Sequence, residues 1–207
     1  MIVVGEDYGE GASVIQERTH AFAMKSGLWL LDPRPNLPSI VRMVEHGFER
    51  SETSNTPVIL ELRIRACHVR GSFVARDNVR PRISTRDLQM EPAPFDYARL
   101  SHPPVTFRQE KQKSEARIPA ARAYIRAHGL SERVGGDRHG IGVVVQGGLY
   151  NSLVRALQQF GLADAMGEPA VAVLVLHVVY PLVGDEIAEF CRGQRAVLVR
   201  DEGQPEF

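Results

Sequence analysis

Val58-Ile-Leu-Glu-Leu-Arg-Ile64 is a run of strand length, rich in β-formers and partly alternating, and it decides how its neighbours are read. Asn55-Thr-Pro57 ties it to a segment in which Ile40, Met43, Val44, Gly47 and Phe48 recur at i, i+3, i+4, i+7 and i+8, the spacing of one buried helical face. Asn36 stands where an N-cap belongs, because its side chain can accept from the free amides of the first turn. Asp32-Pro-Arg-Pro35 breaks regular structure ahead of it, and Leu28 to Leu31 is a short apolar strand before that. Further out, Gly27 closes a helix expected over Gly11 to Lys25, and Ile2 to Val4 is a first strand. Strand, helix, strand, helix, strand in that order requires parallel strands joined by crossover helices, so the fold class is α/β with an open parallel sheet.

Toward the C-terminus the pattern stops and then repeats. From about Gly71 to Pro104, Pro81, Pro92, Pro94, Pro103 and Pro104 leave no room for a long element, so this is a linker wrapped over the surface. A helical stretch follows from about Arg108 to His128, apolar at Ile118, Ala121, Tyr124 and Ile125, with Pro119 placed to split it. After Gly135-Gly136, Ile141 to Val145 is a strand, Asn151 to Phe160 a helix turning Leu153, Val154, Leu157 and Phe160 inward, and Val171 to Val179 a second strand. Asp185 caps a short helix carrying Ile187, Phe190 and Cys191 on one side, and Gly193 releases the chain into the strand Ala196 to Val199. The expected organisation is two open parallel-sheet, Rossmann-like units, residues 1–75 and 136–207, joined by a linker with a helix over 76–135. Met1-Ile-Val-Val-Gly5 reads as a buried strand from its first residue, and the last strand is followed by only a short tail. A doubly wound domain rarely starts and stops so abruptly, which points to a piece of a longer product.

Lysine plus arginine equals aspartate plus glutamate at 25 each, so no global basic field argues for nucleic acid or an anionic membrane. No stretch has the roughly 18 to 20 consecutive apolar residues of a membrane span, and no basic segment with an apolar signal core opens the chain, so a cytoplasmic protein is expected. Cys67 and Cys191 belong to no C-x-x-C pair, which argues against a metal or iron–sulfur site within the chain.

In an open parallel sheet, ligands gather beyond the carboxyl ends of the strands. Four loops qualify. Gly5-Glu-Asp-Tyr-Gly-Glu-Gly11 joins the first strand to a helix start, but its three carboxylates oppose a bound phosphate; a metal or polar substrate suits them better, and an acidic turn capping a helix is the plainer alternative. Alternation in Glu61-Leu-Arg-Ile-Arg-Ala-Cys-His68 puts Arg63 and Arg65 on one side and Leu62 and Ile64 on the other, so two guanidiniums could face a carboxylate beside His68; surface arginines paired to the loop carboxylates are the alternative. Gln146-Gly-Gly-Leu-Tyr-Asn151 is a strand-to-helix turn without the full spacing of a dinucleotide or P-loop motif. Tyr180, before Pro181, reads as packing, and His177, inside an apolar run, reads as a core histidine with one hydrogen bond.

Gly5-Glu-Asp-Tyr-Gly-Glu-Gly-Ala-Ser-Val-Ile-Gln-Glu-Arg-Thr-His20, Leu30-Leu-Asp-Pro33, Pro57-Val-Ile-Leu-Glu-Leu-Arg-Ile-Arg-Ala-Cys-His68, Tyr180-Pro-Leu182 and Glu202-Gly-Gln-Pro-Glu206, in this order, resemble the α subunit of the indolepyruvate ferredoxin oxidoreductases. The resemblance covers nearly the whole chain. It implies that residues 1–75 are the C-terminal half of a thiamine pyrimidine-binding domain and 136–207 a truncated transketolase C-terminal-like domain. It implies a parent enzyme that decarboxylates an aryl 2-oxoacid such as indolepyruvate on thiamine diphosphate and magnesium. That enzyme would pass electrons through 4Fe-4S clusters to ferredoxin and give the acyl group to coenzyme A, with the rest of the parent chain and a second subunit as partners.

In that family the glutamate that activates the aminopyrimidine lies upstream of the part matching Met1, and the diphosphate-binding motif and cluster cysteines lie outside this stretch. None of the cofactors is therefore expected on this piece alone, nor is turnover. The site residues carried over are Glu6 and Asp7, at the edge of the active-site cleft, and Arg65 and His68, which would hold or steer the substrate carboxylate. The archaeal relatives' loop reads differently from Glu6-Asp-Tyr8. Two rival readings stay open: a piece of another thiamine-dependent 2-oxoacid dehydrogenase or transketolase, and a non-catalytic doubly wound module that binds a nucleotide or mediates subunit contact.

Overall fold

The computed structural model describes residues 1–7, 18–78, 80, 95–136 and 140–201, so most of the acidic loop after Asp7, and the Glu202–Glu206 stretch, lie outside the described residues. The first βαβαβ run is β1 (Ile2–Glu6), α1 (Thr19–Ser26), β2 (Trp29–Leu31), α2 (Leu37–Ser54) and β3 (Val58–Arg63), with β3 paired in parallel to both β1 and β2. Its punctuation follows from the residues named above. Gly27 takes φ 63 at the end of α1, a left-handed value that a side chain would resist, and the Asn36 side chain accepts from the Ser39 amide at 2.9 Å to start α2. Asn55 closes α2 at φ 47.

After β3 the chain turns through α3 (Ile64–Cys67) and runs exposed and without regular structure from Gly71 to Asn78, and a short 3-10 turn, Tyr97–Arg99, precedes the next helix. α4 (Val105–Gln112), a π-helical turn Lys113–Arg117 and α5 (Ile118–Ala127) then form one uninterrupted rod. The proline split expected there takes the form of that wide turn. Pro119 has no amide to donate and its ring crowds the carbonyl four residues back, so the helix opens just ahead of it.

The second half adds β4 (Ser131–Val134), β5 (Ile141–Gln146), α6 (Tyr150–Gln159), β6 (Ala172–Leu176), β7 (Val178–Tyr180), α7 (Gly184–Arg192) and β8 (Ala196–Arg200). One sheet has the order β1-β3-β2-β7 and the other β4-β6-β5-β8, and β5 is parallel to β6 and β8. The protein is thus α/β with two mixed sheets of mostly parallel strands flanked by helices. β4, antiparallel to β6, had no signal in the sequence strong enough to name it.

The apolar run expected as one strand from Val171 to Val179 is divided at His177: β6 belongs to the second sheet, whereas β7 leaves to pair antiparallel with β2 of the first. The crossing residue is fully buried and held at its backbone and its ring, because the Asp32 amide donates to the His177 carbonyl at 2.9 Å and the Arg34 amide to Nδ1 at 3.4 Å.

Alternation along the strands sorts the core. Val58, Leu60, Trp29 and Leu31 face Met43 of α2 and Ala121, Tyr124 and Ile125 of α5, while Leu30 and Ile59 face Val144, Leu174 and Leu176 of the second sheet and Phe190 of α7. A third cluster joins Val143, Val145, Val173 and Val175 to Leu153 and Leu157 of α6. Each fully buried side chain of this size contributes roughly 1.5–3 kcal/mol of transfer free energy.

Several assignments of this kind fail. Phe48 is 56% exposed because the buried stripe of α2 runs through Ser39, Met43, Gly47, Arg50 and Ser54, and Phe48 flanks it. Phe160 is 79% exposed because it is already the C-cap of α6. Asp185 lies inside the first turn of α7 rather than capping it, and β1 is an edge strand with Ile2 and Val3 exposed rather than buried.

Candidate functional site

The parallel strands of both sheets end in one region. β1 ends at Glu6, β3 at Arg63 and β5 at Gln146, while Asp32 follows β2 and Asp201 follows β8. Glu6 is in register with Arg63, and Glu61 lies two residues before Arg63, so alternation sends all three side chains to the face that meets the second sheet.

Arg63 is the hub. Its guanidinium donates to Asp32 Oδ2 at 2.9 Å and to Gln146 Oε1 at 2.7 Å, and Glu61 Oε1 lies 3.8 Å away. The other end of the Gln146 amide donates to Asp201 Oδ1 at 2.8 Å and faces His20 Nε2 at 3.2 Å. The amide orientation is fixed by these partners, with oxygen toward the cation and nitrogen toward the carboxylate and the imidazole. His20 Nδ1 is 3.7 Å from Glu61, yet burial holds the ring below its ordinary range, with Asp32 acting in the opposite direction. Glu6, Asp32, Glu61, Arg63 and Gln146 are all buried.

A second polar knot extends this seam. Glu132 of β4 accepts from Arg34 and Arg42 at 2.8 Å each and lies 3.0 Å from His177 Nε2. His177 first, and then Arg34 against the opposing cost of burial, hold its carboxyl well below the usual carboxylate range. The Arg34 guanidinium also stacks on the Tyr150 ring at 3.8 Å.

These contacts decide what the four candidate loops can do. The glycine turn after β5 is sealed: a Cβ on Gly147 would fall on the Asp32 carbonyl, and one on Gly148 on the Arg63 and Asp32 side chains, so the backbone packs against protein where a phosphate would otherwise approach. Tyr180 packs on Trp29 at a ring separation of 5.9 Å, as read from the sequence, and His177 is a core histidine.

The alternation expected beyond Arg63 is overturned. The strand ends at Arg63 and Ile64–Cys67 is helical, so Arg63 is buried in the seam while Arg65 and His68 are exposed on and just after α3. Glu6 is buried, with its Oε2 accepting from the Thr19 amide at 3.1 Å and from the Thr19 hydroxyl; its Oε1 meets no partner among the described residues. Asp7 is half-buried one residue further on. Glu6, Asp7, Arg65 and His68 therefore share the carboxyl end of two neighbouring strands but not one cluster.

Sequence reasoning missed His20, Asp32, Gln146 and Asp201. A polar residue ending an apolar strand, as in Leu30-Leu-Asp32 and Val144-Val-Gln146, was a usable signal. Nothing local marked His20 or Asp201.

Two Rossmann-like units whose parallel strands run to a shared polar seam define an α/β protein in which a ligand site belongs at those strand ends. No family model matches the chain. Over 99% of its length it is 28% identical to the indolepyruvate oxidoreductase subunit IorA of Methanothermobacter thermautotrophicus, and over 98% it is 28% identical to the protein of the same name from Methanothermobacter marburgensis. The chain spans 31% of the length of each relative. The resemblance to the indolepyruvate oxidoreductases read from the residues is thus borne out along nearly the whole chain.

Proposed function

We propose that this chain supplies two α/β units of a thiamine-diphosphate-dependent indolepyruvate:ferredoxin oxidoreductase. Residues 1–75 form the C-terminal half of the pyrimidine-binding domain and 136–207 a transketolase C-terminal-like domain. The observation that supports this reading is similarity along nearly the whole chain to proteins named indolepyruvate oxidoreductase subunit IorA, on a fold whose strand ends converge.

Among the described residues, no set fits an iron–sulfur cluster or a bound diphosphate. Two cysteines cannot furnish the four thiolates of a 4Fe-4S cluster, and the glycine turn after β5 is closed by Asp32 and Arg63. Thiamine diphosphate, magnesium and the clusters are assigned to other parts of the parent enzyme, and the chain alone does not turn over. Its share of the work is positional. The seam fixes the strand ends, and the turn after β3 offers Arg65 and His68 to the carboxylate of an aryl 2-oxoacid, with Glu6 and Asp7 at the edge of the cleft.

Edge strands β1 and β8, exposing Ile2, Val3, Leu198 and Val199, suit coverage by the rest of the parent chain or a second subunit. In the intact enzyme, Arg65→Ala should raise KM for indolepyruvate about tenfold or more with little change in kcat, because a lost charged hydrogen bond costs roughly 1.5–3 kcal/mol. An unchanged KM removes Arg65 from the site.

A further inference from the structure

On the opposite face of the first sheet from the seam, the contact between α2 and α5 carries His46, Glu49 and His128, with one ligating atom of each within 4.8 Å of the others. His46 and Glu49 are three residues apart on α2 and so share a face, and His128 directly follows α5. Met43, Ala121, Tyr124 and Ile125 lock the two helices together in the core, so the imidazoles project from separate, anchored elements.

Tyr124 organises the group. Its hydroxyl donates to Glu49 Oε2 at 2.5 Å and lies 2.9 Å from His46 Nδ1, while its ring stacks on His128 at 4.0 Å. A hydroxyl has one proton, and here Glu49 takes it. The contact to His46 is therefore donated by Nδ1–H, which leaves Nε2 with a lone pair. A ring N–H held by a hydrogen bond, with the other nitrogen free, is the arrangement metal-ligating histidines adopt.

We propose that His46, Glu49 and His128 bind one divalent transition-metal ion of the zinc type, with water as the fourth ligand. Two imidazoles and a carboxylate form a donor set that zinc takes with one position open. Tetrahedral bonds of about 2.0–2.2 Å put ligand atoms about 3.4 Å apart, so the group must contract. Glu49 and His128 are exposed and can turn inward to close it. Of the charged neighbours on α2, Arg42 is engaged by Glu132 at 2.8 Å and Glu45 favours a cation. The ion would staple the connector helix to the first unit, a role that does not depend on the proposed function.

Zinc titration of the purified chain against a chromogenic chelator tests this. One equivalent should bind, reversibly with EDTA, and raise the melting temperature. Glu49→Gln, on an exposed side chain, and His128→Ala should each weaken binding by about tenfold or more while the far-ultraviolet circular dichroism is unchanged, and a Cys67→Ser/Cys191→Ser chain should bind as before. No bound equivalent at micromolar zinc, binding unaffected by Glu49→Gln and His128→Ala, or binding lost with the cysteines would overturn the assignment.

Discussion

Arg63 and Arg65 stand two residues apart and belong to different worlds. Arg63 ends a strand and is buried against Asp32 and Gln146, so it ties the first sheet to the second; Arg65 lies on a single helical turn and is exposed. The same guanidinium is buried in one place and exposed in the other, and what separates them is the point where β3 stops. A site built at strand ends needs both kinds of residue, one to hold the ends still and one to reach outward.

Substitutions can break that contrast. Arg63→Met should do the most harm, about 3–5 kcal/mol in urea unfolding, because it leaves the buried Asp32 carboxylate without its cation. Gly147→Ala should cost about 1–3 kcal/mol by forcing a methyl onto the Asp32 carbonyl, again read by urea unfolding.

The seam should also show in the pH dependence. His20 has a folded-state pKa below its ordinary 6.5, so as the pH falls below 6.5 the unfolded chain takes up a proton that the folded chain resists, and stability falls. His46 acts in the same direction. His20→Gln should flatten part of that slope in unfolding midpoints taken across the window, leaving the rest. The smallest effects belong to the exposed side: Arg65→Ala and Phe160→Ser should each change unfolding free energy by no more than about 0.5 kcal/mol.

Much of the fold was legible because it is carried by local signals. Asn36, Gly27 and Asn55 mark ends through backbone chemistry that acts within a few residues, and the apolar runs set the strands. What periodicity could not show is where a strand gives way to a turn with no glycine or proline to mark it, as at Arg63-Ile64, or where one apolar run serves two sheets, as at His177. The polar seam was legible only in part for the same reason. Arg65 and His68 are exposed at the turn after β3, whereas Gln146 meets Arg63, and His20 and Asp201 meet Gln146, from distant parts of the chain, and which residues will meet is not written in the local sequence.

The account turns on Arg63 and Gln146 acting together across the two sheets. A double-mutant cycle with Arg63→Met and Gln146→Leu in urea unfolding measures this directly. A coupling of about 1–3 kcal/mol, with one unfolding transition for the unsubstituted chain, is the predicted result. Losses that add to within about 0.5 kcal/mol, or two separate transitions, would contradict it.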